Sequence, residues 1–263
     1  MHFDQLLAQA ATLGSGSMQF PANWCQGRTA FGGLSAALLY QAIRQHVDSD
    51  RRLLSLSTNF VGPLLAERDF TIQVEVLRTG KNSSQVMAKI TQDKQIVVLT
   101  QACFGARRAS NVHVDVSKNM TLKPVDERHM LPYQKGIMPE FFQHVALCPQ
   151  QGGMPFSGVD TSHLGGWMRF KDTPQGMNEA HIIALTDAWP PTLLQMYKQP
   201  APASSMSWYL EFVREPQLNP DDWLGFEAIT HHCKDGYGLE DGCIWSSRGE
   251  LLALTRQTVA LFD

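Results

Sequence analysis

The feature that most constrains the fold is a repeat of the same element order in the two halves of the 263-residue chain. Three landmarks recur in the same order at nearly constant separation. They are Phe60 and Phe212 (152 residues apart), the hairpin turns at Asp93 and Arg248 (155 residues apart), and Gln101 and Gln257 (156 residues apart). Because the separation drifts by only four residues, the pattern predicts an internal duplication.

The first half predicts one buried helix followed by antiparallel strands. Residues 34–47 are apolar around most of the helix circumference, which is typical of a helix that is buried on nearly all sides. Apolar and polar residues then alternate over 70–76 and 86–90, and a turn at 92–94 leads into a further strand over 96–104. The pattern predicts an α+β arrangement in which a sheet wraps the helix.

The second half predicts the same order of elements. The segment Asp187-Ala188-Trp189-Pro190-Pro191 precedes a predicted helix over 192–198, with proline where the first helical turn tolerates it. The strands predicted after this helix cover residues 206–214, 224–230, 242–246 and 251–262. Each half therefore combines one helix with several strands.

A stretch rich in proline and glycine separates the halves and predicts a long connection, with a short helix over 139–147. A connection of this length is unusual inside one compact domain, which favours two joined units. The predicted boundaries are residues 1–108 for the N-terminal unit, 109–165 for the connector and 166–263 for the C-terminal unit.

Composition narrows the classes of function. A formal net charge of −3 and a pI near 6.3 offer no concentrated positive surface for nucleic acid. No uninterrupted stretch approaches the roughly 18–20 apolar residues of a membrane helix, and the first residues lack the pattern of a signal peptide. The five cysteines include no C-x-x-C pair, and no histidine spacing predicts a metal site. We therefore expect a cytoplasmic protein that binds neither nucleic acid nor membrane.

Eight short segments resemble a known family in residues, order and spacing, over nearly the whole chain outside the connector. They are Phe31-Gly32-Gly33, Phe60-Val61-Gly62-Pro63, Val74-Glu75-Val76-Leu77-Arg78, Thr100-Gln101-Ala102-Cys103-Phe104-Gly105, Gly166-Trp167-Met168-Arg169, Leu185-Thr186-Asp187-Ala188-Trp189-Pro190-Pro191, Glu211-Phe212-Val213-Arg214 and Leu254-Thr255-Arg256-Gln257. The family is that of the TesB-like double-hotdog acyl-CoA thioesterases. The resemblance implies an α+β double hotdog that hydrolyses an acyl-CoA substrate without a metal or other cofactor.

The resemblance also implies three catalytic residues that together hold and activate a water. The aspartate corresponds to Asp187 at the start of the second helix, and the glutamine corresponds to Gln257 in the last strand. The hydroxyl residue corresponds to Ser205, where threonine is usual, and Ser204 and Ser207 lie close enough in sequence to compete for this role. A carboxylate accepts a proton from water, while a hydroxyl and an amide each offer a donor and an acceptor to fix it.

Two predicted helix starts could bind the thioester oxygen, one at Phe31-Gly32-Gly33 and one near Asp187, and the glycines favour the first. Backbone N–H groups at a helix start suit a developing oxyanion, and glycine lets the backbone approach a ligand closely.

Each of these residues also has an ordinary structural interpretation. Asp187 suits a helix N-cap, Gln257 a partly buried strand position, and Ser205 a strand edge. Two other functions stay open for this reason: a non-catalytic acyl-CoA-binding or scaffolding protein, and an enoyl-thioester hydratase. The sequence shows no Asp–His pair in a loop at a helix start, as such hydratases use, so the second is less favoured. We expect a homodimer, because hotdog sheets expose strand edges that proteins pair or cover.

Overall fold

Twelve strands lie within residues 1–262, the part of the chain that the computed structural model describes. They are β1 (Cys25–Gln26), β2 (Thr29–Ala30), β3 (Arg51–Phe60), β4 (Thr71–Thr79), β5 (Ser83–Gln92), β6 (Gln95–Ala106), β7 (Val145–Gln151), β8 (Leu164–Phe170), β9 (Ala203–Phe212), β10 (Leu224–Lys234), β11 (Tyr237–Trp245) and β12 (Leu251–Leu261). The first two pair with each other, and the other ten form one antiparallel sheet in the order β4-β5-β6-β3-β9-β12-β11-β10-β8-β7.

The strand order is mirrored about the junction between β3 and β9, which pair directly with each other. On one side stand β4-β5-β6-β3, and on the other β10-β11-β12-β9, extended by β8 and β7. The irregularities repeat as well, because β3 carries a bulge at Leu54 and β9 carries one at Met206, 152 residues later. The predicted duplication and the α+β double-hotdog arrangement are confirmed.

Three α-helices occur in the described residues: α1 (Phe3–Thr12), α2 (Gly32–Arg44) and α3 (Glu179–Thr186). As predicted, α2 is buried, and it packs against β5, β6 and α3. The two helices approach closely at Gly33, where a Cβ atom would lie 2.5 Å from the carbonyl oxygen of Ala184. None of the helices in residues 1–262 has the length and apolar character needed to cross a membrane.

The prediction of an α-helix over 192–198 is wrong. The α-helix of the second half is α3, which ends immediately before Asp187, and only a short 3-10 helix, Thr192–Met196, follows. The side chain of Asn178 caps the start of α3, and Pro190-Pro191 prevents the helix from continuing into the next segment. Because α3 is buried on almost every side, its sequence shows no two-faced pattern from which it could be predicted.

The predicted connector over 109–165 is partly built into the sheet, because β7 lies in it and pairs with β8. The short helix predicted over 139–147 is a 3-10 helix, Glu140–Gln143, that leads directly into β7. Upstream, the Glu227 carboxylate fixes Thr121 to the sheet by accepting hydrogen bonds from its backbone N–H, at 3.1 Å, and from its hydroxyl. The domain boundaries stay predictions.

Candidate active site

Asp187 lies where the end of α3 meets the start of α2. It is the C-cap residue of α3, and its Oδ2 accepts a hydrogen bond of 2.7 Å from the backbone N–H of Gly33 in the first turn of α2. Phe31, the N-cap residue of α2, supplies no side-chain hydrogen bond, so a carboxylate from the other half occupies that position. Asp187 thus caps a helix, but the helix belongs to the first half of the chain. As a whole residue, Asp187 is partly exposed.

Burial raises the pKa of the Asp187 carboxyl to about 7, from the ordinary aspartate value of 3.8. The hydrogen bond from Gly33 opposes this rise, the negative charge of Glu240 adds to it, and a hydrogen bond from the Gln257 side chain again lowers the pKa. A carboxyl group whose pKa lies near neutrality is well suited to take a proton from water at physiological pH.

Ser205 on β9 and Gln257 on β12 lie on the helix-facing side of the sheet, the side that also carries the buried Trp208 and Val259. The Gln257 amide donates a hydrogen bond to the Ser205 hydroxyl and also contacts the Asp187 carboxylate. The structure therefore brings the three predicted catalytic residues together. Ser205 and Gln257 are partly exposed, so solvent reaches the group.

The bulge at Met206 determines which serine takes part. It adds one residue to β9, so that Ser207 pairs with Thr258 whereas Ser205 pairs with Val259. Since successive strand residues point to opposite faces, Ser205 shares the face of Gln257. Ser204 is exposed and, like Ser207, belongs to the other face, so neither competes with Ser205 for the contact with Gln257.

The equivalent positions of the first half carry apolar residues. Strand register and bulges repeat between the halves, so Leu53 corresponds to Ser205 and Ala102 corresponds to Gln257. Both Leu53 and Ala102 are buried in the core. Within the described residues, the hydroxyl–amide pair is therefore present in one half only.

Gln101, which marked the repeat in the sequence, is not the structural equivalent of Gln257. It is exposed on the outer face of β6 and donates a hydrogen bond to Gln85. Its counterpart is Arg256, because Gln101 pairs with Ser57 as Arg256 pairs with Tyr209. The last strands are thus 155 residues apart, in agreement with the hairpin turns that precede them.

The residues at the start of α2 have separate environments. The Phe31 ring is fully buried and stacks on Phe141 at 4.1 Å between ring centroids, so it presents no surface to a ligand. The N–H of Gly33 is occupied by Asp187. The N–H of Gly32 has no hydrogen-bond partner in residues 1–262, and a Cβ atom on Gly32 would lie 2.7 Å from the Asp187 Oδ2. Gly32 therefore offers a backbone donor beside the carboxylate.

Glu240, a buried residue that sequence analysis did not single out, lies on β11 directly opposite Gln257. Its Oε2 accepts hydrogen bonds from the backbone N–H of Thr192 at 2.8 Å and from the Thr192 hydroxyl at 3.1 Å. Burial raises the pKa of Glu240 to about 6, and the bonds from Thr192 oppose the rise. The sequence does contain a signal for this residue. Glu240 lies between Gly238 and Gly242 on the face of β11 that points to the helices, where a charged residue is unusual.

Two family models match the chain, one over each half. An acyl-CoA thioesterase N-terminal domain matches residues 20–105, and an acyl-CoA thioesterase C-terminal domain matches residues 120–261. The chain belongs to the acyl-CoA thioesterase family. This agrees with the resemblance found in the sequence and with the two halves of the sheet. A search of curated proteins finds no sequence that matches this family member.

Several solved structures have the same fold as this thioesterase-family protein and align with almost all of its chain. A conserved hotdog-fold protein of unknown function from Alicyclobacillus acidocaldarius is 25% identical, with a TM-score of 0.82 over 98% of each chain. The tesB protein of Mycobacterium avium subs. paratuberculosis is 16% identical, with a TM-score of 0.79 over 100% of each chain. The acyl-CoA thioesterase II TesB2 of Mycobacterium marinum is 18% identical, with a TM-score of 0.71 over 100% of this chain and 98% of its own. These similarities agree with the double-hotdog fold.

Proposed function

We propose that this protein hydrolyses an acyl-CoA thioester, with Asp187, Ser205 and Gln257 holding and activating a water. The observation that carries the proposal is the convergence of the three side chains on one partly exposed spot, through the contacts of Gln257 with both partners. Membership of the acyl-CoA thioesterase family supports the choice of substrate class.

In the proposed reaction the ionised Asp187 carboxylate takes a proton from water as the water oxygen attacks the thioester carbonyl carbon. Ser205 and Gln257 hold that water in line with the carbonyl. Such positioning lowers the activation free energy by several kcal/mol, out of the roughly 7–11 kcal/mol that ideal orientation can supply. The Gly32 N–H is the proposed donor to the oxyanion that forms. When the carbon–sulfur bond breaks, CoA leaves as the thiolate and receives the proton that Asp187 took up.

The test is release of free CoA thiol from a panel of acyl-CoAs that runs from acetyl to palmitoyl and includes branched and aromatic members. We expect turnover with at least one member, and we expect Asp187→Asn to lower kcat by about 10²–10⁴-fold. Gln257→Ala should lower kcat by about 10²-fold, because the water is no longer fixed. The matched control is Gln101→Ala, an exposed glutamine on the last strand of the other half, which should leave kcat unchanged.

The same panel separates hydrolysis from the binding-protein alternative. Acyl-CoA that binds, as measured by calorimetry, without release of thiol would contradict the proposal and support a non-catalytic acyl-CoA-binding protein. Full activity in Asp187→Asn would contradict the proposed role of this residue.

We also propose that the protein forms a homodimer. Strand β4 lies at one edge of the sheet and strand β7 at the other, and β4 exposes Val76 and Leu77. Unpaired edges with apolar side chains favour pairing with another copy. Light scattering coupled to size exclusion should give twice the 29.4 kDa chain mass, and the mass of a single chain would contradict this.

A further inference from the structure

Glu240 occupies a position where the first half of the protein carries a valine. Glu240 pairs with Gln257 in the second half as Val86 pairs with Ala102 in the first, and Val86 is fully buried. The repeated fold therefore accepts an apolar side chain at this position. A buried carboxylate is unfavourable unless it is well hydrogen-bonded, so filling the core does not account for the glutamate.

The contacts of Glu240 tie it to the segment that carries Asp187. Thr192, which begins the 3-10 helix after Pro190-Pro191, gives both its N–H and its hydroxyl to the Glu240 carboxylate. The Thr192 hydroxyl also lies 2.7 Å from the hydroxyl of Thr230 on β10. The turn from Asp187 to Thr192 is thus fixed to the sheet at its far end by Glu240.

Glu240 on β11 is also the charged group that acts on the Asp187 carboxylate. The side chains and backbone groups that contact the Asp187 carboxylate from α2 and β12 are neutral. Glu240 itself is near neutral groups on Thr192 and Thr230, and it feels the negative charge of Asp241, the next residue of β11. The effect on Asp187 has the direction expected for two like charges, since it raises the pKa of Asp187.

We propose that Glu240 is a positioning residue for hydrolysis, which anchors the Asp187–Thr192 turn through Thr192 and places a second negative charge near the Asp187 carboxylate. The inference rests on the proposed function, because it assigns a role to Glu240 in that same site. Glu240 acts through Asp187 and through Thr192, and it is not itself the group that takes the proton from water.

The first test compares the pH dependence of kcat/KM for wild type and Glu240→Gln, with hexanoyl-CoA or the best substrate of the panel. Glutamine keeps a side-chain oxygen that accepts from Thr192 but removes the charge. The acid-side midpoint should therefore move to lower pH in Glu240→Gln. Superimposable profiles would overturn the inference.

Glu227→Gln is the matched control. Glu227 is also largely buried, and it accepts hydrogen bonds from the N–H and hydroxyl of a threonine, Thr121, on the opposite face of the sheet. Its substitution should leave the acid-side midpoint where it is in wild type. An equal shift in both variants would mean that any buried glutamate has this effect, and would overturn the specific role of Glu240.

A measurement on the unmodified protein covers the case in which Glu240→Gln does not fold. Carboxyl-carbon NMR, with the Asp187 resonance assigned by its absence from Asp187→Asn, should show that the titration of Asp187 is broader than that of an isolated carboxyl, because Glu240 titrates over an overlapping range. A titration of Asp187 with the width of an isolated carboxyl would overturn the inference. Loss of turnover in Asp187→Asn together with an unchanged profile in Glu240→Gln would overturn only the inference, whereas full turnover in Asp187→Asn would overturn the proposed function.

Discussion

Replacing Asp187 with asparagine should stabilise the protein at alkaline pH. The folded carboxyl has a pKa of about 7 against 3.8 in an ordinary environment, so the folded state keeps a proton that the unfolded chain has already released. The protonated Asp187 carboxyl therefore contributes fully to the free energy of unfolding below about pH 4, and this contribution is lost as pH rises through about 7. A shift of this size corresponds to roughly 4 kcal/mol, and the partial solvent access of Asp187 reduces the expected effect to about 1–3 kcal/mol.

The assay is urea unfolding followed by tryptophan fluorescence, which the six tryptophans make sensitive. The free energy of unfolding of Asp187→Asn minus that of wild type is measured at about pH 5 and about pH 8.5. This difference should grow by about 1–3 kcal/mol between the two conditions, because asparagine cannot ionise. The introduced asparagine still has a side-chain oxygen that can accept the hydrogen bond from Gly33.

Asp93→Asn serves as the control for this prediction. The Asp93 side chain is exposed and pairs with Arg68 at the surface, so its replacement removes a carboxylate that burial does not affect. Its difference from wild type should stay constant from the lower to the higher pH. The reasoning fails if the Asp187→Asn difference is also constant, because Asp187 then has no raised pKa in the folded protein.

Four further outcomes follow from the same structure. In wild type, kcat/KM should fall as pH drops below about 7, because Asp187 must be ionised to accept a proton; a profile that is flat from about pH 5 to about pH 8 in the hydrolysis assay would contradict this. Gly33→Ala should lower the free energy of unfolding by about 1–3 kcal/mol in urea, since its Cβ would clash with the α3 backbone. Phe31→Ala should lower it by about 3–5 kcal/mol through loss of a fully buried ring, and a smaller loss would mean that the site collapses around the gap. Arg256→Ala should leave the midpoint of thermal unfolding within error of the wild-type value, because its pair with Asp241 lies at the surface.

The repeat and most strands were predictable because they depend on local patterns. Turn residues and two-residue alternation mark strand ends and faces directly, and β5 and β6 lie within one or a few residues of the predicted ranges. The buried helix α2 was predictable for the same reason, since apolar residues surround it. The approximate place of Asp187 and Gln257 followed from family resemblance, and the structure brings these two residues together.

Other features depend on long-range packing that a single sequence does not display. Helix α3 is short and buried all around, so only its contacts with α2 distinguish it from a buried strand. The sequence alignment of Gln101 with Gln257 is off by one residue from the structural register. A shift of one residue moves a strand side chain to the opposite face of the sheet. Glu240 was missed because its hydrogen bonds come from Thr192, a residue of a different element that the sequence does not place beside it.

The bulges and register shared by the two halves have a consequence for how such a protein can change. In an assembly of two identical chains, symmetry would put the same side chain at the position of Leu53 and at that of Ser205. Joining the repeats in one polypeptide removes this constraint, so a buried leucine and a partly exposed serine coexist at matching positions. The first half can therefore carry apolar residues at these positions while the second half carries polar ones. An engineer can therefore change Leu53 or Ala102 without changing the residues at the matching positions of the second half.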